Sequence, residues 1–279
     1  MLCLVVALAA EARPLLAPHH LQGVSGHPYR ICAGEQTHLI VSGIGKVAAA
    51  AATAYLRALI GDTPAAWLNI GIAGHGSQAV GTPLLAHKVV DAASGKPFYP
   101  SFTAPPPCRT TLLHTVDRVQ SPAGNAAYDM EASGFCEAAQ RFATSERVHC
   151  LKVVSDNPQS SYQTLNAGKV EALIESQLDT VAQIGEHLRA LSQQLHALHA
   201  DPPGLAELTT RWQFTATQQH QLRGLLVRWQ TLAPMTPAVN DDLLALQSRD
   251  EVLAHLKQQL DDVEFFLTPE EAKNDQTEA

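Results

Sequence analysis

The chain has 279 residues, of which 46% are hydrophobic and 16% charged, with a formal net charge of −8. That length suits one large domain, or one medium domain with a small companion, and the apolar fraction is enough for a packed core. The acidic balance excludes a general nucleic-acid binder, because neutralising phosphates needs clustered Lys and Arg.

The first ten residues are apolar, but they lack a basic leading segment, and Glu11 and Arg13 interrupt the run. A buried strand over residues 2–8 is expected rather than a signal peptide. No stretch approaches the ~20 apolar residues of a membrane span, so no membrane partner is expected. HLIVS at 38–42 reads as a second strand, ending at the glycines of SGIGK. Residues 47–60 read as an Ala-rich helix. AWLNIGI at 66–72 reads as a third strand that again runs into glycines. Residues 83–90 and 112–119 are further strand candidates, and 128–142 looks helical. VHCLKVV at 148–154 is a buried strand ending at Ser155 and Asp156, and 169–199 is a long helical stretch. Residues 94–107 (SGKPFYPSFTAPPP) form a loop, either a plain surface connection or a flap whose Phe98 and Tyr99 touch a ligand.

Strands alternating with helices imply a mainly parallel, or mixed, central sheet flanked by helices. Ligands of such sheets bind beyond the carboxyl ends of the strands, where Glu11, Ser42, Gly43, residues 71–76, Ser155 and Asp156 fall. After Asp201-Pro202-Pro203-Gly204 the strand patterns stop. Two amphipathic helices are expected near 205–232 and 241–267, then an acidic, polar tail. Trp212, Phe214 and Trp229 make either the core of this part or a docking face. The expected organisation is an α/β domain over residues 1–199, a small α-helical module over 204–267, and a tail over 268–279.

Five cysteines (Cys3, Cys32, Cys108, Cys136 and Cys150) show no CxxC or Cys/His zinc spacing, which fits reduced thiols in the cytoplasm. His19, His20, His75, His87 and His114 show no metal-binding spacing. No metal and no cofactor are expected.

The chemistry-bearing positions each have a bland reading. SGIGK is a strand-to-helix turn whose amides could meet an anion, and it is neither GxGxxG nor a Walker loop. NIGIAGHG at 69–76 is a second loop of that kind. Asp129 and Glu131 sit where acids stabilise a helix start, and Asp156 sits where a turn or N-cap acid would. Glu11 follows a strand as a helix-start acid would. Their joint position at strand ends favours a shared site.

Four segments together resemble the purine nucleoside phosphorylase and methylthioadenosine/S-adenosylhomocysteine nucleosidase superfamily. They are VALAAEARPL, SGIGKVAAAAAT, NIGIAGHGSQAVGT, and the pair YDMEASG with VVSDNP. The apolar GIAG form also resembles the hopanoid-associated phosphorylase branch. The likeness covers the chain to about residue 195 and leaves the last part uncovered. It implies a nucleoside phosphorylase-like fold and cleavage of the N-glycosidic bond of a purine nucleoside or a 5′-substituted adenosine. Asp156 and Glu11 match the catalytic acids, at the base and at the water respectively. Met130 and Glu131 match a pair that packs on the ribose and bonds its hydroxyls. Ser155, Ile72, Gly43 and Gly71 match the surrounding substrate-binding positions.

Two departures bear on the activity. Ile72 stands where many members carry a Ser that holds phosphate or water, and the nearby loop offers only His75, so hydrolysis is favoured over phosphorolysis. The stretch between Gly81 and Asp129 is much shorter than in the family, where it carries a base-stacking aromatic, so base recognition is altered, open or lost. The competing readings are a phosphate-dependent phosphorylase and a non-catalytic module that binds a nucleoside or a protein. A small-molecule nucleoside is the expected ligand. A homodimer and a protein partner held by the C-terminal helices are both open.

Overall fold

The computed structural model describes residues 1–61, 63–120, 122–199 and 201–262. The expected tail and the last residues of the second expected C-terminal helix, 263–267, lie outside the described residues. The chain forms two compact units, Met1–Leu198 and His199–Ala279.

In the first unit the elements run β1 (Leu2–Val6), α1 (Ala9–Leu16), β2 (Gln22–Val24), β3 (Arg30–Ala33), β4 (Thr37–Val41), α2 (Lys46–Ile60), β5 (Ala66–His75), β6 (Pro83–Asp91) and β7 (Pro97–Phe98). Then come β8 (Arg109–Thr115), β9 (Ala127–Asp129), α3 (Ala132–Ala139), β10 (Val148–Asp156), α4 (Ala167–Glu175) and α5 (Leu178–His199).

The unbroken apolar runs of β1 and β10 become strands buried along their whole length. Successive side chains on a strand point to opposite faces. On β1, Cys3 and Val5 enter one core with Ala49, Ala52 and Leu56 of α2 and Phe135 and Ala139 of α3. Leu2, Leu4 and Val6 enter a second core with Leu15 of α1, Ile174 of α4 and Val181, Ile184 and Leu188 of α5. The sheet thus lies between two helical layers. Each fully buried Leu or Ile contributes about 1.5–3 kcal/mol.

The sheet is mixed. Parallel pairs join β1 to β4 and β5, β5 to β10, β6 to β8 and β8 to β9. Antiparallel pairs join β10 to β6, β5 to β9, β6 to β7, β3 to β4 and β2 to β3. The pairings β5–β10–β6–β8–β9–β5 close a ring, from which β1, β4, β3 and β2 extend as an open sheet. Ring closure places the carboxyl ends of β5 and β10 beside the end of β9.

Several expected boundaries move. The helix expected over 128–142 begins at Ala132, because Tyr128 and Asp129 pair with β5 and β8 as the strand that closes the ring. The glycine-rich stretch after Ile72 is strand through His75, not loop. The helical stretch over 169–199 breaks between Glu175 and Leu178. The expected loop over 94–107 holds β7, whose Phe98 packs in the first core. Tyr99 is exposed beneath the Lys88 ammonium. Among the described residues, no helix is long and apolar enough to cross a membrane.

The second unit is helical. The single helix expected near 205–232 is two, α6 (Leu205–Arg211) and α7 (Ala216–Leu232). The break falls at Thr215, whose capping box with Gln218 starts a new helix. The next are α8 (Asp241–Leu244) and α9 (Arg249–Asp261), the latter started by a Ser248–Glu251 box. Leu208, Phe214, Leu222, Leu226, Trp229, Leu256 and Leu260 form the core, with Trp212 packed at its edge. Trp229 satisfies its indole N–H on the Thr236 carbonyl at 2.7 Å.

Candidate active site

The carboxyl ends of β5, β9 and β10 border a cavity of about 180 Å³. Glu11, Ile72, Met130, Glu131, Ser155 and Asp156 all line it. Gly43 and Gly71 lie outside its lining and act from behind. Gly43 makes a left-handed turn (φ 84°) between β4 and α2. Gly71 lies beneath Glu11, where a Cβ would sit 2.8 Å from the Glu11 Oε1. Gly74 stands in the same relation to Asp156, with 2.8 Å between the position of a Cβ and Oδ2. The strand glycines therefore make room for protein carboxylates.

Glu11 is 2% exposed on the first turn of α1. Its Oε2 accepts from the amides of Ala7 and Leu8, both at 2.8 Å, and its Oε1 accepts from Ile72 N–H at 3.1 Å. A carboxylate oxygen accepts two hydrogen bonds. Oε1 therefore keeps a site for one more donor, while Oε2 is filled. Burial pushes the Glu11 carboxyl up, opposed by Lys152 and the three amides.

The SGIGK turn supplies an amide at a helix start, as expected, but the anion it meets belongs to the protein. Gly45 N–H donates to Glu131 Oε1 at 2.9 Å. Among the described residues no donor reaches Glu131 Oε2. Asp156 ends β10 and accepts from the Ser155 hydroxyl on Oδ1 at 2.6 Å, which leaves Oδ2 toward Gly74.

Lys152 was not singled out by sequence reasoning. It lies mid-strand on β10, 1% exposed, with Nζ 2.9 Å from Asp129 Oδ2. Asp129 also accepts from Thr115 Oγ1 at 2.8 Å and from the Ala132 amide at 2.8 Å, so it both pairs the lysine and starts α3. The signal was a lone Lys inside an otherwise apolar strand, a position too costly to keep unless paired. Burial alone would pull the Lys152 ammonium down, but Asp129, Glu131 and Glu11 outweigh it and hold the proton more firmly than usual. One cation cannot balance three buried acids. Glu131 absorbs the imbalance: burial, together with the charges of Asp129 and Glu11, pushes its carboxyl up to about 7 against Lys152 and the Gly45 amide.

A polar chain continues outward from Asp129. Thr115 Oγ1 accepts from Ser133 N–H at 2.9 Å, and Ser133 Oγ donates to Asp91 at 2.9 Å. Lys46, the first residue of α2, pairs Asp91 and Asp117, each at 2.9 Å. This fixes the helix start whose Gly45 amide holds Glu131.

The lining carries four carboxyl groups, Glu11, Asp129, Glu131 and Asp156, and none of its residues is Lys, Arg or His. His75 lies outside it. Its Nδ1 accepts from the amides of Ser77 and Gln78, and burial, with Arg109, pulls the imidazole's proton affinity down. Phe98 and Tyr99 do not line the cavity, whereas Tyr128 and Tyr162 do. Among the described residues, no group of three or more His, Cys, Asp or Glu side chains is placed to hold a metal ion.

No family model and no curated protein matches this chain. Solved structures do. A 5′-methylthioadenosine nucleosidase from Arabidopsis thaliana, in apo form, matches with a TM-score of 0.56 at 18% identity, over 67% of this chain and 95% of that one. The futalosine hydrolase of Helicobacter pylori matches with a TM-score of 0.55 at 14% identity, over 67% and 97%. A 5′-methylthioadenosine/S-adenosylhomocysteine nucleosidase from S. pneumoniae, bound to a transition-state inhibitor, matches with a TM-score of 0.53 at 18% identity, over 68% and 99%. These proteins belong to the nucleoside phosphorylase/nucleosidase superfamily. The closed ring with its open-sheet extension and two helical layers is accordingly the nucleoside phosphorylase/nucleosidase fold.

Proposed function

We propose that the α/β unit hydrolyses the N-glycosidic bond of a purine nucleoside or a 5′-substituted adenosine. The observation that carries this reading is the convergence of Glu11, Glu131 and Asp156, 120 to 145 positions apart for the first and the others, on one cavity above a buried lysine. The similar solved structures support it, since they are of nucleosidases and a futalosine hydrolase.

Each acid has an oxygen with room for a further hydrogen bond, suited to one task. Glu11 Oε1 can accept one hydrogen bond from a water, and its carboxylate can take the proton as that water attacks the anomeric carbon. Glu131 Oε2 can accept from sugar hydroxyls and hold the ring in place. Asp156 faces the heterocycle and can relay a proton to it as the C–N bond breaks and the electron pair moves onto the base. The water's hydroxyl ends on the sugar and its proton balances the one given to the base. Acid–base assistance of this kind is worth ~10²–10⁴-fold.

Phosphorolysis would bring a phosphate anion against four lining carboxyls with no lining cation. Lys152 does not relieve this, because Asp129 holds its ammonium. The buried free thiols of Cys3, Cys32, Cys136 and Cys150 fit a reducing cytoplasm.

Incubation with adenosine, 5′-methylthioadenosine and S-adenosylhomocysteine in phosphate-free buffer tests the proposal. Release of free base is expected from at least one of them, and Asp156→Asn should abolish it. No release from any, or release strictly dependent on added phosphate, would overturn hydrolysis.

A further inference from the structure

The proline-rich loop between β7 and β8 lines a second cavity of about 180 Å³, which shares no lining residue with the first. Its other walls are Leu85 of β6, His149 of β10, and Gln183, Ile184, His187 and Leu188 of α5. His149 is the second residue of β10 and Asp156 the last. At about 3.3 Å per residue, the two stand roughly 20 Å apart, at opposite ends of one strand. None of the residues lining the second cavity is Asp, Glu, Lys or Arg.

His149 is 4% exposed, on the face of β10 that Leu151 and Val153 share. Its Nε2 lies 3.2 Å from the Glu146 carbonyl, which only accepts, so Nε2 holds the ring's proton and Nδ1 is a lone pair. Burial pulls the imidazole down to about 4, so the ring is uncharged at neutral pH. Among the described residues no donor reaches Nδ1. A buried acceptor without a donor is costly. The Phe102 ring lies parallel to the imidazole, with planes 12° apart and centroids 5.3 Å apart. Thr103, next in the loop, is joined to His187 of α5 by a 2.8 Å hydrogen bond. That bond ties loop to helix, and Pro105, Pro106 and Pro107 fix the loop's φ angles. The walls are therefore preformed.

We propose that this cavity is a binding site for a small, rigid, uncharged molecule of the phenol or indole class, whose single O–H or N–H donates to His149 Nδ1. The apolar walls take the ring. With no acid, Lys or Arg in the lining, an ion would be desolvated without a partner. Preformed walls bind a rigid ligand at the lowest ordering cost. A water is the poorer donor, since it needs two to four polar partners and Thr103 and His187 already hold each other. The site is independent of the proposed function, because the two cavities have no residue in common.

Titration of the full chain with phenol and with toluene, followed by nuclear magnetic resonance, tests it. Toluene has the shape of phenol, with a methyl group in place of the donor. His149→Phe keeps an aromatic ring beside Phe102 and removes Nδ1. It should weaken phenol about tenfold and leave toluene within about twofold of its wild-type affinity. Gln183→Trp puts bulk at the exposed rim without touching the core, and should block both probes. If His149→Phe does not fold, as judged by circular dichroism, Gln183→Trp decides the matter. The proposal is overturned by a wild-type chain that binds no phenol, by equal loss of both probes or wild-type phenol affinity in His149→Phe, or by wild-type phenol affinity in Gln183→Trp. It is also overturned by a phenol-soaked crystal in which Nδ1 meets water only and phenol lies elsewhere.

Discussion

The two units bury different things. In the helical unit the described core is apolar: Leu, Val, Phe and Trp side chains, with the one indole N–H satisfied on a carbonyl. In the α/β unit, Glu11, Asp91, Asp129, Glu131, Asp156 and Lys152 are all buried. Burying charge is costly unless every partner is in place. A chain able to build the first kind of core has no stability reason to build the second. Under the proposed function the charged interior of the α/β unit serves a ligand, whereas the apolar interior of the helical unit serves packing.

Removing the cation should show the contrast most strongly. Lys152→Met leaves Asp129 buried without its 2.9 Å partner, and the loss of one member of such a pair costs about 3–5 kcal/mol. Urea unfolding should register it, and a change below about 1 kcal/mol would mean that the acids are not held by this lysine. In the helical unit, Leu256→Ala should cost about 2–5 kcal/mol through the cavity it leaves, with nucleoside turnover retained.

A finer break separates folding from function within the α/β unit. A Cβ at residue 74 would meet the far end of a flexible side chain, the Asp156 carboxyl, so Gly74→Ala should leave the melting temperature nearly unchanged. It should displace Asp156 and lower kcat/KM about 100-fold, the scale of a 1 Å misplacement at a reacting centre. A variant with full activity would show that Asp156 does not need its observed position.

A last break concerns pH. The folded chain holds the Glu131 proton up to about 7, and the unfolded chain releases it near 4.3. Between those values the folded state binds more protons, so this group's contribution to stability is present at low pH and is lost as pH rises through the window. Glu131→Gln should flatten the wild-type decline between about pH 4.5 and 7, as seen in denaturation midpoints. An identical slope in both proteins would place the raised proton affinity elsewhere.

Much of the α/β unit could be read from its residues, and the misses have physical causes. The apolar runs at β1, β4, β5, β6 and β10 announced themselves because strands buried on both faces need no alternation. The short β2 (QGV) and β3 (RICA), three and four residues long, are too brief to show a period. The three residues of β9 looked like a helix start because Asp129 does cap α3, while a strand pairing invisible in the local pattern sets the backbone. Glycines at 71 and 74 read as a loop, since nothing local shows that the side chains needing that space come from α1 and β10. Glu11, Glu131 and Asp156 were legible as candidates because each follows a strand or precedes a helix. Lys152 was lost inside an apolar run, and Tyr128 was absorbed into the expected helix.

The central claim is that these acids address a single ligand from a single cavity. A crystal structure of the chain soaked with a non-cleavable nucleoside analogue tests it most directly. The account predicts sugar hydroxyls on Glu131 and the heterocycle edge on Asp156, each within hydrogen-bonding distance, with the anomeric carbon facing Glu11. An analogue bound elsewhere on the molecule, or one that touches Glu131 without reaching Asp156, would contradict it.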